Sequence, residues 1–153
     1  MNTNVDMEKL QENAVKAFTT GFACSESVIV SLREALNLDI PDSAIAMSSG
    51  FPWGLGGGGC LCGAAAGGTM CIGFVYGRTD PGNPKINRCF ELTNEFHDKF
   101  KEKFGATCCG ELIKDFPDRD APERKNCCTE YVKFAVSTVA EILIREAIKD
   151  GAD

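Results

Sequence analysis

Cys62-Gly63-Ala64-Ala65-Ala66-Gly67-Gly68-Thr69-Met70-Cys71-Ile72-Gly73-Phe74-Val75-Tyr76 is the stretch on which the fold turns. Its small residues predict a helix over about 62–76. Gly63, Ala66 and Gly67 leave little side chain on one side, so a neighbouring backbone can approach closely and the helix belongs in the middle of a bundle. The run Gly56-Gly57-Gly58-Gly59 leads into it, and Gly77 with Asp80-Pro81-Gly82-Asn83-Pro84 ends it.

Outward from this centre, alternating strand patterns are missing and helical spacing recurs. A helix is expected over about 5–18, closed by Gly21. A second, over about 24–37, carries Val28, Leu32, Ala35 and Leu36 as one stripe, which Cys24 extends. Ile40-Pro41-Asp42 restarts a short helix through about Met47, and Ser48 to Gly59 reads as a loop. A long amphipathic helix over about 84–104 buries Cys89, Leu92, Phe96 and Phe100 and stops at Gly105. A short helix over about 109–116 and a polar loop from Pro117 to Arg124 lead to the last helix, about 126–149, striped by Val132, Ala135, Val139, Ile142 and Leu143. The expected architecture is all-α: one domain over 1–153, a helical bundle around the central Gly/Ala-rich helix.

The chain has 153 residues, 44% hydrophobic and 25% charged, enough for a core without cysteine staples. Its formal net charge of -6 argues against a nucleic-acid partner and against an anionic membrane surface. Met1 to Asp6 lacks the basic and apolar regions of a secretory signal, and no stretch approaches the ~18–20 apolar residues of a spanning helix. The expectation is a cytoplasmic protein, where clustered cysteines serve metal binding or catalysis more than crosslinking.

Nine cysteines are scattered along the chain: Cys24, Cys60, Cys62, Cys71, Cys89, Cys108, Cys109, Cys127 and Cys128. Cys62 lies where the glycine loop enters a helix. Exposed amides and the helix dipole are expected to lower its pKa there, making it a nucleophile or soft ligand. Backbone amides of Gly58, Gly59 and Gly63 are candidates to face an anionic sulfur or cofactor. Cys60 is a second ligand, a resolving thiol or an incidental loop residue. Cys71 falls on the opposite helix face and reads as core, as does Cys89. Cys109 shares a face with Leu112, Ile113 and Phe116 and points inward. Cys128 aligns with Val132 and Ala135, Cys127 with Tyr131 and Phe134, so periodicity leaves that pair undecided. Thiolates from Cys24, Cys62, Cys109 and Cys128 would suit an iron–sulfur cluster or tetrahedral zinc. Their spacing fits neither a zinc ribbon nor a ferredoxin, and no C-x-x-C occurs.

Four elements together resemble the family named for its C-GCAxxG-C-C cysteine signature, whose members are described as redox-active. They are Cys24-Ser25-Glu26-Ser27-Val28, Cys62-Gly63-Ala64-Ala65-Ala66-Gly67, Phe104 to Leu112 through Cys109, and Cys128-Thr129-Glu130-Tyr131-Val132. The resemblance covers about 18–143 and extends to the cluster-bearing part of split-Soret cytochrome c. It implies an all-α fold and an iron–sulfur centre, [2Fe–2S] in type, held by some of the four matched cysteines. It implies no haem, because the haem-binding sequence is missing and His97 is the single histidine. Cys60, Cys108 and Cys127 each neighbour a matched cysteine, so which partner of each pair is the ligand stays open.

The glycine run is not a Walker loop, since Cys60-Leu61-Cys62 follows it in place of Gly-Lys-Ser/Thr. A Rossmann reading lacks the strand and the later acid. His97 reads as a solvated helix residue, and Phe51 and Trp53 as residues that cover the site or fill the core. Three functions follow: an electron-transfer or redox-sensing iron–sulfur protein, a metal-free thiol–disulfide oxidoreductase in which Cys62 attacks and Cys60 or a vicinal cysteine resolves, and a zinc-binding or metal-chaperone module. The expected partner is a redox donor or acceptor protein, and packing through the Gly67/Gly68 side would suit a homodimer.

Overall fold

A computed structural model describes residues 1–151. Eight helical elements occur among them: α1 (Met7–Thr20), α2 (Cys24–Leu36), α3 (Asp42–Ser48), α4 (Pro52–Leu55), α5 (Gly63–Tyr76), α6 (Lys85–Phe104), α7 (Cys109–Leu112) and α8 (Pro122–Gly151). The chain is all-α, as its periodicity predicts, and no described residue lies in a strand.

Local chemistry sets the boundaries. The Asp6 carboxylate accepts from the Lys9 amide at 3.1 Å and starts α1 two residues later than the apolar pattern suggests. Gly21, at φ 144°, closes α1 by returning its amide to Ala17 O. Glu26 reaches back to accept from the Ala23 amide at 2.8 Å, which fixes the first turn of α2 and hence Cys24. Two further boundaries depart from expectation. α7 ends at Leu112 rather than near Phe116. α8 starts at Pro122, inside the stretch read as a polar loop, because proline suits a first helical turn and the charged residues after it are good helix formers.

α5 is the axis. It packs on α2, α6 and α8, while α1 covers α2 and α8. Gly63, Ala64, Ala65, Ala66, Gly67 and Gly68 are all buried. A Cβ at Gly67 would lie 2.6 Å from the Ser25 carbonyl oxygen, so α2 and α5 meet backbone to backbone. A Cβ at Gly68 would meet the Phe96 ring at 2.7 Å and Val139 at 3.0 Å. The Gly67/Gly68 side is therefore filled from within the chain, which removes it as the seat of a homodimer contact.

Around this axis, Val28, Leu32, Leu36, Ile72, Phe96, Phe100, Val132, Val136, Val139 and Leu143 are buried, each stabilising the fold by about 1.5–3 kcal/mol relative to exposure. Phe100, Phe104, Tyr131 and Phe134 form an aromatic group of tilted and edge-to-face rings between α6 and α8. Cys71 and Cys89 sit in this core, as their helix faces predict. At the far end Glu146, whose side chain is 8% exposed, is paired with Arg88, Arg145 and Lys149. Among the described residues no helix is long and apolar enough to cross a membrane.

Candidate functional site

At the opposite end of the bundle, four chain segments converge on a cavity of about 160 Å³. Cys24, Cys62, Cys109 and Cys128 all line it, with Phe18, Pro52, Trp53, Leu112, Arg124 and Tyr131 among the walls. Cys24 opens α2, Cys62 caps α5, Cys109 opens α7 and Cys128 lies in the second turn of α8. The close approach of α2 and α5 brings the first two thiols together, and a Cβ at Gly63 would collide with Cys24 Sγ. Gly63 thus makes room for a cavity sulfur rather than supplying a loop amide.

The glycine run does different work from that expected. The Gly59 amide donates to Gly54 O at 2.9 Å, and the Gly58 amide to Leu55 O at 3.4 Å. These amides close the turn at α4 and are not held out to sulfur. The backbone amides that favour a Cys62 thiolate are instead those of Ala64 and Ala65, in the first turn of α5, although Cys62 makes no side-chain capping hydrogen bond there.

Next to the cavity residues Cys62 and Cys109, a short seam joins two loops. Cys62 N donates to Thr107 O at 2.8 Å, and Gly110 N donates to Gly59 O at 2.7 Å. Beside these bonds Cys60 and Cys108 form a disulfide, with Cα atoms 4.3 Å apart. The pairing of Cys60 with Cys62 that a resolving role required is therefore replaced by a bond to Cys108. In the other vicinal pair Cys128 lines the cavity and Cys127 does not.

Burial dominates the thiol electrostatics. It pushes Cys62 up to about 12, against the Ala65 and Ala64 amides, and the neighbouring Cys24 and Cys109 sulfurs push the same way. Cys24 rises to about 11, through burial and then its proximity to Cys128. The expected lowering of Cys62 is overturned: the first-turn amides do not offset removal of a thiolate from water. Cys62 is consequently a poor attacking thiol at neutral pH. Cys109 and Cys128 are also raised by burial, but the Arg124 guanidinium opposes the rise at both.

Arg124 and Trp53 are the site residues that sequence reasoning missed or left undefined. Arg124 Nη1 donates to Cys128 Sγ at 3.5 Å, and its Cζ lies 4.3 Å from the centre of the Trp53 ring. The second cation, Arg119, stands 5.5 Å from the same ring. Arg124 Nε is buried without a hydrogen-bond partner. Trp53 adopts φ 61°, a left-handed conformation that a bulky residue rarely accepts, and it lies on the cavity wall with Arg124 over its ring. Arg124 precedes Cys128 by four residues. Its i,i+4 relation was readable once the helix is allowed to start at Pro122.

His97 lies away from this cluster, half exposed, with Nδ1 2.8 Å from Asp98. Among the described residues no three His, Cys, Asp or Glu side chains are grouped tightly enough, as they stand, to hold one metal ion.

An all-α bundle whose central Gly/Ala helix gathers thiols from four segments beside a disulfide defines a class, the cysteine-based redox proteins. The chain belongs to the family described as "Putative redox-active protein (C_GCAxxG_C_C)", which it matches over residues 22–142. A protein of Archaeoglobus fulgidus, described only as uncharacterized, is 28% identical over 138 residues, covering 86% of this chain and 91% of that protein. No solved structure gives a significant match.

Proposed function

We propose that this protein holds an iron–sulfur cluster, [2Fe–2S] in type, through Cys24, Cys62, Cys109 and Cys128, and serves electron transfer or redox sensing. The observation that carries the reading is the convergence of these four thiols, distant in sequence, on one largely apolar cavity. The donor set fits the group. Four thiolates are the usual ligands of such clusters, and thiols held far above their ordinary pKa ionise readily only when a cation takes the charge. The unpartnered Nε of Arg124 adds a buried donor beside this anionic set.

When bound, the cluster would supply one-electron chemistry. The chain's own residues do the rest. The first-turn amides of Ala64 and Ala65 lie where they favour an anionic Cys62 sulfur, and Arg124 donates to Cys128 Sγ. Such bonds to ligand sulfurs raise a reduction potential. Phe18, Leu112 and Tyr131 wall the cavity against water, and Tyr131 fixes α7 to α8 by donating to Leu112 O at 3.1 Å. A thiol–disulfide enzyme built on attack by Cys62 is not supported, since that thiol is buried and held neutral.

Anaerobic purification from iron-replete cells tests the reading. Iron and acid-labile sulfide in equal stoichiometry, with visible charge-transfer absorption lost in Cys62→Ser and Cys128→Ser, are expected. Colourless, iron-free protein, or stoichiometric zinc with no redox response, overturns it.

A further inference from the structure

We infer that the Cys60–Cys108 disulfide is a second redox centre, separate from the four cavity thiols, and that it exchanges with the dithiol of a partner protein. Cys60 is exposed and Cys108 half-buried. Gly56, Gly57 and Gly58, in the run that leads to Cys60, are exposed; a side chain at Gly56 would meet nothing within 4 Å, and one at Gly57 only the Arg119 guanidinium at 3.7 Å. Gly110, across the seam, is exposed as well. Cys60 is itself exposed and the run before it carries no side chains, so an incoming thiol can reach its sulfur. Exposed disulfides are the labile and catalytic ones, whereas shielded ones resist exchange.

The seam supplies reversibility. The bonds from Cys62 N to Thr107 O and from Gly110 N to Gly59 O straddle the disulfide and do not depend on it. After reduction they keep the two thiols facing each other, ready to close again.

In the exchange, a partner thiolate attacks Cys60 Sγ. A mixed disulfide forms, the bond to Cys108 breaks, and Cys108 leaves as a thiolate that takes a proton. The partner's second thiolate then attacks the partner sulfur of the mixed disulfide and releases Cys60, which is protonated in turn. Two electrons and two protons pass from the partner dithiol, now a disulfide, to Cys60 and Cys108. The centre stands whether or not the cavity holds a cluster. Cys60 lies two residues before Cys62 and Cys108 directly precedes Cys109, so the exchange takes place on the segments that carry two of the cavity thiols.

The test equilibrates the folded, full-length protein in glutathione redox buffers, traps free thiols by alkylation and maps them by mass spectrometry. Cys60 and Cys108 are expected to gain label together, in one reversible two-electron step, while labelling of the cavity cysteines stays constant. Incubated with glutathione disulfide, Cys108→Ser is expected to acquire glutathione at Cys60 roughly tenfold faster than Cys60→Ser acquires it at Cys108. Label on both cysteines without reductant, or a pair that resists glutathione until the protein is unfolded, overturns the proposal. Equal adduct rates in the two variants overturn the assignment of Cys60 as the attacked sulfur. Iron content bears on none of these outcomes, so this centre and the cluster can fail independently.

Discussion

Replacing Gly67 by alanine should destabilise this protein, while the same change at Gly73 on the same helix should stabilise it. Alanine in place of helical glycine gains about 1 kcal/mol through backbone entropy. At Gly73 nothing lies within 4 Å of the new methyl, so most of that gain survives, about 0.5–1 kcal/mol. At Gly67 the methyl would sit 2.6 Å from Ser25 O, 3.1 Å from Ser25 Cα and 3.1 Å from Val28 Cβ. Two of these atoms are backbone of α2, so no side chain can swing aside and the two helices must separate. Overpacking costs about 1–3 kcal/mol, and against fixed backbone atoms the upper part of that range, about 2–3 kcal/mol, applies, which leaves a net loss of about 1–2 kcal/mol. The two variants should therefore differ by about 2–3 kcal/mol, or about 5–10 °C in Tm for a chain of this size. Urea and thermal unfolding of reduced, metal-free protein, followed by helical circular dichroism, measures the difference. Gly67→Ala should also loosen Cys24 against Gly63 and speed its alkylation. A Gly67→Ala protein as stable as Gly73→Ala would refute the claim that direct backbone contact between α2 and α5 builds the site.

Other expectations follow from the charged and ionisable groups. Burial holds Cys24 up to about 11 and Cys62 and Cys71 up to about 12, against an ordinary 9.0. The folded state thus keeps protons that the unfolded chain releases, so this stability is whole below pH 9.0 and is lost as pH climbs toward 12; a urea midpoint unchanged across that range would contradict it. At the acid end, hydrogen bonds from Lys149, Arg145 and Arg88 hold Glu146 down to about 2, from 4.5. That contribution is present above pH 4.5 and disappears as pH falls toward 2. Glu146→Gln should flatten the acid limb and cost about 2 kcal/mol at neutral pH, and an unchanged acid midpoint would contradict this. Arg124→Leu removes the cation that offsets burial at Cys128 and Cys109. In metal-free protein the alkylation profile of Cys128 should move to higher pH, with partial recovery in Arg124→Lys; an unmoved profile would show that Arg124 only packs on Trp53.

Much of the scaffold was legible along the chain. The Gly/Ala composition of α5 announced a helix meant for close neighbours. The stripes of α2, α6 and α8 named their buried faces, and Cys71 and Cys89 fell into the core by period alone. The inward direction of Cys109 followed from its register with Leu112, which also lines the cavity. What misled was the polar character of Pro122 to Lys125. These residues read as loop because nothing apolar marks them, although they form the first turn of α8.

Periodicity states which face a residue occupies; it carries no information about what stands opposite that face or how much water is left there. Choosing between Cys127 and Cys128, giving Cys60 to Cys108 rather than to Cys62, and setting Arg124 over Trp53 all depended on helices that meet only in space. The protonation of Cys62 depended on it too. The helix start was visible in the residues, but the desolvation that outweighs its amides is a sum over neighbours brought from four distant segments. The chain by itself determined a helical bundle, its axis and its buried stripes, because those follow from local geometry. Tertiary packing alone decided which sulfurs share a cavity and in what charge state, because both depend on distances and dielectric that no linear spacing encodes.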